Sequence, residues 1–270
     1  MKLSLVLPSL FPHALRRTIE NLQATTRGVD YEVLVVAPFE VVGTNVVWIP
    51  EGNPRGGVAA NIAAYERASG DLVVTLSDEI ALADNWAEIC LKMFHEREPP
   101  GRHFCLGLHL SSFVVGTVFG IYYPFYPMAR MSTLRAVGGH FDPIYTAHFP
   151  DPDLALRIWQ AGGRCERTEI PLVSQVPRPG SEAADPPTKT SRSAERDTAT
   201  FVWRWAPIYG SGWKTGERGE YNIDIDAIFE LLVGDECWVF LNDPIFKRLH
   251  RNYLRNAARW KIGGAGVPRS

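Results

Sequence analysis

Asn53-Pro54-Arg55-Gly56-Gly57-Val58-Ala59-Ala60-Asn61-Ile62-Ala63-Ala64-Tyr65-Glu66-Arg67-Ala68-Ser69-Gly70-Asp71-Leu72-Val73-Val74-Thr75-Leu76-Ser77-Asp78-Glu79 is the stretch on which the fold turns. Gly56-Gly57 is a backbone-permissive turn. Val58 to Ala68 follows with small apolar residues of good helix propensity, which predicts a short helix ended by Ser69-Gly70. Leu72 to Leu76 is a β-branched apolar run of the kind buried on both faces of a sheet. It emerges directly into Ser77-Asp78-Glu79. In open α/β sheets, ligands bind outside the carboxyl ends of the strands. Adjacent carboxylates placed there need a partner, and a hard divalent cation bridging to diphosphate oxygens is a common one. The plainer alternative is that Asp78 and Glu79 cap the helix expected near Asn85-Trp86.

Working outward, the chain alternates strands and helices. Leu3 to Leu7 reads as a strand stopped by Pro8-Ser9. Ala14 to Ala24 carries Leu15, Ile19 and Leu22 at helical spacing. Tyr31 to Val36 and Asn45 to Ile49 are further strands, and Trp86 to His95 a further helix. This β-α-β-β-α-β order predicts an α/β fold with an open, mostly parallel sheet flanked by helices. Phe104 to Met131 is rich in Phe, Tyr, Val and Gly and reads as strands that extend the sheet. Tyr122, Tyr123, Phe125 and Tyr126 are either core residues or a platform on which a sugar ring stacks. Ser132 to Gly139 is a short helix. Asp151 stands just before the helix that Leu154, Ile158 and Trp159 define, which also suits it to an N-cap. Arg164 to Val173 is expected to close the sheet as a strand pair.

The remainder divides at 177. Residues 177–199, rich in Pro, Ser, Ala, Thr and charge, read as a flexible loop or linker, and 200–270 as a C-terminal helical extension. From Pro244 the residues are basic and aromatic or aliphatic in alternation, with Lys247, Arg248, Arg251, Arg255, Arg259 and Lys261. Residues 244–262 therefore suit either a packed helix with a solvated basic face or a peripheral membrane contact. The chain has 270 residues, 46% hydrophobic and 21% charged, an ordinary globular composition. A net charge of −2 gives no electrostatic case for nucleic acid. Cys90, Cys105, Cys165 and Cys237 lie far apart and form no metal-ligand pairs. Reduced thiols and a cytoplasmic protein are the simplest expectation.

The order of these pieces resembles a family 2 glycosyltransferase of the GT-A fold, over residues 2–176. Leu5-Val6-Leu7-Pro8-Ser9 resembles the first strand and the turn that begins to hold the nucleotide. Gly57 to Gly70, with Asn61, is similar to the small-residue helix before the metal motif. Ser77-Asp78-Glu79 resembles the aspartate-any-aspartate motif in a variant that serine opens. Gly138-Gly139-His140-Phe141-Asp142, then Asp151-Pro152-Asp153-Leu154 and Arg157, resembles the segment that supplies the catalytic base. Departures accompany these matches. Ala37-Pro38 follows the second strand where acidic residues are usual, Pro150 stands where glutamate often precedes the base, and Val173-Ser174-Gln175-Val176 lacks the histidine many members have. Arg204-Trp205 is faintly similar to an Arg-Trp pair of processive members.

The resemblance implies an inverting transfer of a sugar from a nucleoside-diphosphate donor, a UDP-sugar in the first instance, to a hydroxyl of a saccharide or lipid-linked acceptor, as in polysaccharide biosynthesis. A divalent Mn2+ or Mg2+ on Asp78 and Glu79 would neutralise the leaving group, and Asp151 would be the general base. Pro8, Ser9, Arg55, Asn61, Ser77 and Asp78 would contact the donor. Asp153→Asn is then expected to be milder than Asp151→Asn. Two rivals stay open: a nucleotide-sugar-binding or scaffold protein without turnover, and a nucleotidyltransferase. The Pro8-Ser9-Leu10 turn, which is not a Gly-rich phosphate loop, speaks against the latter.

Overall fold

Residue alternation along the first strand decides which side of the sheet each helix covers. Leu3, Leu5 and Leu7 enter one apolar cluster and Val6 the other. The same split holds for Leu72, Val74 and Leu76 against Val73, as a period of two residues requires. The computed structural model describes residues 1–111, 117–118, 121–182 and 189–209. It opens with β1 (Lys2–Val6), α1 (Pro12–Thr25), β2 (Asp30–Ala37), β3 (Val46–Pro50), α2 (Gly57–Tyr65) and β4 (Leu72–Thr75), in the expected order. Next come β5 (Ile80–Leu82), α3 (Trp86–Arg97), β6 (Phe104–Leu110), β7 (Thr117–Val118), β8 (Ile121–Tyr122) and β9 (Pro127–Arg130). They are followed by α4 (Met131–Ala136), α5 (Pro150–Gln160), β10 (Arg164–Gln175) and α6 (Ser191–Tyr209).

Eight strands form one sheet in the order β3-β2-β1-β4-β9-β6-β10-β5, and β7 pairs with β8 apart from it. The first four strands in that order are parallel, with Val6 opposite Leu34 on one side and Thr75 on the other. Their carboxyl ends therefore lie along one edge. The second half is mixed: β9 runs antiparallel to β4 and β6, β10 runs parallel to β6, and β5 runs antiparallel to β10. Helices α1 and α3 cover one face with Leu15, Ile19, Leu22, Trp86 and Phe94. Helices α2, α5 and α6 cover the other with Val58, Ala64, Leu154, Ile158, Phe201 and Trp205.

Two local expectations need correction, and one strand is additional. Arg164 to Val173 is one long strand whose register slips around Pro171, where the missing N–H breaks the ladder. Ile80–Leu82 is a strand that three residues are too few to announce. The stretch read as a linker turns helical at Ser191, and α6 runs on to Tyr209. Residues 183–188 of that stretch, and the basic segment 244–262, lie outside the described residues. Among the described residues no helix is long and apolar enough to cross a membrane.

Candidate active site

The parallel strands deliver their ends to one cleft of about 260 Å³. Leu7 and Ser9 continue β1 by hydrogen-bonding to Leu34 O and Val36 O of β2, and Leu76 N donates to Val6 O. Ser9 and Asp78 are thereby brought side by side, and the Ser9 hydroxyl donates to Asp78 Oδ2 at 2.5 Å. Asp78 is only 3% exposed. The turn before α2 supplies the opposite wall. Gly56 has φ 110°, and a Cβ there would lie 2.7 Å from Thr146 O, so the close approach of these two loops needs glycine. Asn61 donates to Gly57 O at 2.8 Å, while its buried Oδ1 has no partner among the described residues, an acceptor open to a ligand.

Of the residues expected at the donor site, Pro8, Ser9, Asn61, Ser77 and Asp78 line this cleft, together with Asp151. Arg55 does not reach its wall: it is exposed, and its backbone N–H donates to Glu51 Oε1 at 3.2 Å. Glu79 does not line the cleft, and its side chain is 43% exposed. Tyr122 and Tyr123 are core residues, whereas Phe125 and Tyr126 face the cleft. Burial pushes the Tyr126 phenol up to about 12, and the charges of Asp151, Glu79 and Asp78 reinforce the shift. Tyr126 thus stays a hydrogen-bond donor among three carboxylates, 3.5 Å from Ser77 Oγ.

Asp151 is not an N-cap. Helix α5 begins one residue earlier, at Pro150, and Phe149 precedes it in the left-handed region at φ 65°. For a bulky residue that conformation is strained and has to be imposed by surroundings. The surroundings are specific. Phe149 stacks on Phe201 of α6 at 4.9 Å. Asp197 of α6, fully buried, accepts from the backbone N–H groups of Thr146, Ala147 and His148 at 3.0, 2.9 and 2.9 Å. Asp151 therefore rides in the first helical turn, where the helix dipole favours a carboxylate.

Asp153 has a different task. It is fully buried and accepts from Arg157 Nε at 2.8 Å, Trp205 Nε1 at 2.9 Å and the Tyr145 hydroxyl at 3.1 Å. Arg204 lies 3.3 Å from it and also pairs with Asp142. Arg204-Trp205 thus fastens α6 to α5 and does not enter the cleft. Asp153 thus anchors α5 to α6, and its replacement bears first on stability.

Two cleft residues escaped the sequence reading. Glu51, just after β3, lines the wall next to the end of β2, where Ala37-Pro38 offers no acid. Arg178 lies on the carboxylates themselves: its Nε and Nη2 donate to Asp78 Oδ1 at 3.3 and 3.2 Å, and its Nη1 is 3.3 Å from Glu79 Oε1. No periodic signal marks it, because it follows the last strand in a Pro-rich segment. Among the described residues no three His, Cys, Asp or Glu side chains gather as a metal cage. Two carboxylates suit an ion that takes its other ligands from diphosphate and water, the habit of Mg2+ in particular. The donor set fits once Arg178 leaves it.

The sheet order and the cleft at its strand ends are those of the GT-A glycosyltransferase fold. GalNAc-T7, solved with UDP, GalNAc and Mn2+, matches with TM-score 0.60 and 13% identity over 100% of this chain and 59% of its own. The mannosyltransferase PcManGT from Pyrobaculum calidifontis, in complex with GDP-Man and Mn2+, matches with TM-score 0.54 and 17% identity over 97% and 79%. S. aureus TarS matches with TM-score 0.52 and 12% identity, over 65% of this chain and 37% of TarS. Its 1–349 fragment with UDP-GlcNAc gives 0.53 and 12% over 75% and 67%. At such identities the likeness establishes the fold. No family model and no curated protein matches the chain.

Proposed function

We propose that this chain is an inverting glycosyltransferase that moves a sugar from a nucleoside-diphosphate donor to a hydroxyl of a saccharide or lipid-linked acceptor. The observation that carries the reading is the cleft at the strand ends, walled by Ser9, Asn61, Ser77, Asp78 and Asp151 together. The solved structures of like fold that hold UDP, UDP-GlcNAc or GDP-Man support a nucleotide sugar, with UDP the first to test. Asp78, oriented by Ser9, and Glu79 would hold a divalent ion, Mn2+ in the first instance; when bound, it supplies charge neutralisation of the diphosphate leaving group. Asn61 Oδ1 and the backbone at Gly56-Gly57 would receive the nucleotide. Asp151 would take the acceptor proton as the hydroxyl attacks the anomeric carbon from the face opposite the departing diphosphate. A positioned base contributes roughly two to four decades in rate.

The test is paired. UDP and GDP sugars, with and without Mn2+, should raise the unfolding temperature if they bind specifically. Release of nucleoside diphosphate in the presence of an acceptor panel then reports transfer. Asp151→Asn should retain donor binding and lose transfer by about two decades or more. Donor binding without release from wild type across the panel would support the binding-only rival. Near-wild-type transfer by Asp151→Asn would remove the base assignment.

A further inference from the structure

Resting on the proposed donor site, we propose that Arg178 is a tethered cation that occupies the metal position on Asp78 and Glu79 and passes to the donor diphosphate when the ion binds. The guanidinium makes hydrogen bonds or ion pairs to both carboxylates, at 3.2–3.3 Å. A planar fork that spans two carboxylates matches phosphate oxygens equally well. It lies over the Phe11 ring at 4.0 Å and on the cleft wall, so the same side chain already borders the space a diphosphate would fill.

Its backbone is held on both sides. Arg17 donates to Val176 O at 3.1 Å and to Pro177 O at 2.9 Å. Glu182 accepts from the N–H groups of His13 and Ala14 at the start of α1, both at 2.9 Å. Pro177 and Pro179 flank Arg178 and stiffen the chain further. With the backbone pinned, the exchange is a rotation of one side chain pivoting on Phe11, and no loop has to open.

Charge supplies the direction of the exchange. Asp78 and Glu79 with Arg178 sum to −1, and Asp151 adds a further negative charge to the cleft. A diphosphate meets repulsion there. A divalent ion on the two carboxylates turns their sum to zero and frees the guanidinium as a surplus positive charge beside the phosphates. Arg178 thus competes with the ion and cooperates with the nucleotide. Removing it has opposite effects on the two.

The experiment uses the full chain and two binding measurements on wild type, Arg178→Gln and Arg178→Lys. Mn2+ alone is titrated by the electron paramagnetic resonance signal of the free ion. UDP, and GDP in parallel, are then titrated calorimetrically in saturating Mn2+. Arg178→Gln should bind Mn2+ about tenfold more tightly and the nucleoside diphosphate about tenfold more weakly, the scale of one charge-assisted hydrogen bond gained or lost. Arg178→Lys, a point charge without the fork, should fall between in both. Both affinities unchanged, or both moving in one direction, overturn the proposal while leaving the donor site standing. Failure of wild type to bind either nucleotide in Mn2+ overturns the donor site and the proposal together. Thermal unfolding of each variant accompanies the titrations. If Arg178→Gln fails to fold, Arg178→Lys decides by the same two signs.

Discussion

Replacing Asp153 with alanine should destabilise this protein far more than replacing Asp151 with asparagine. The side chain is fully buried and satisfies Arg157 Nε, Trp205 Nε1 and the Tyr145 hydroxyl, with Arg204 close by. Truncation leaves the guanidinium of Arg157, itself 8% exposed, without its carboxylate. Breaking a buried ion pair from one side costs about 3–5 kcal/mol, because the remaining charge is stranded. The orphaned indole N–H and phenol fall within that range or extend it. Total stabilities are about 5–15 kcal/mol, so a large fraction is at stake. The loss should lower the melting temperature by roughly 6–20 °C, at about 2–4 °C per kcal/mol for a chain of this size. Urea unfolding followed by tryptophan fluorescence should show the midpoint fall with the slope retained. Asp153→Asn removes the charge but keeps the volume, and should lie between alanine and wild type. Asp151→Asn, on the cleft side of the same helical turn, should stay within about 1 kcal/mol of wild type, as expected of a surface change. An Asp153→Ala midpoint equal to that of Asp151→Asn would refute the reasoning. So would a double-mutant cycle with Trp205→Phe that shows no coupling between positions 153 and 205.

Two further outcomes follow from the same structure. Asp197→Ala should free the backbone N–H groups of Thr146, Ala147 and His148, costing about 1–3 kcal/mol for donors left unsatisfied and lowering transfer without weakening donor binding; hydrogen exchange of those amides is the direct measurement, and unchanged protection would count against the anchor. Glu32 governs part of the acid response: burial raises its carboxyl, but Lys2, Ser4 and Ser69 outweigh that and draw it from 4.5 down to about 2. Because the folded value is depressed, its contribution is complete above pH 4.5 and is lost as pH falls towards 2. Glu32→Gln should therefore flatten the pH dependence of the urea midpoint in that window, and an unaltered slope would dismiss the network.

The first half of the fold was legible because it is local. Strands β1, β2 and β3 are mostly apolar runs that end at or just before a proline, and β4 is an apolar run shortly after Gly70. Helix α1 has helical spacing of its apolar residues, and α2 is a run of small residues of good helix propensity. The strand-end residues Ser9, Ser77 and Asp78 came with it, since parallel pairing fixes which edge they reach. The second half resisted where the signal was short or non-local. Ile80–Leu82 is below the length at which alternation can be read. Arg178 and Glu51 carry no pattern, and only the fold brings them to the cleft. Helix α6 was hidden because its early residues are polar on most sides, and its buried positions are reserved for Asp197, Phe201 and Trp205. The two aspartates of Asp151-Pro152-Asp153 illustrate the limit. Residues two apart on a helix are separated by about 200°, so one must face away from the other. Nothing in the spacing of the two aspartates tells which of them faces the cleft.

The answer came from what lies across from each side chain. Asp153 faces donors from α6, and the loop before Asp151 hangs on Asp197 of the same helix. The carboxylate that would do chemistry thus owes its place to residues beyond the stretch that resembles a GT-A core. A residue strained at φ 65°, as Phe149 is, relaxes unless its neighbours over-determine it. Here the neighbours are Phe201 and the Asp197 hydrogen bonds, both from α6. The Asp78 side of the cleft depends on the pairing of β1 with β4, which sets Ser9 beside Asp78, and on bonds from Thr18 and Arg178 to Asp78. The Asp151 side depends on a helix that arrives later in the chain. The proposed donor site and the proposed base are therefore supported by separable parts of the fold. Damage to α6 should strike transfer first and donor affinity second.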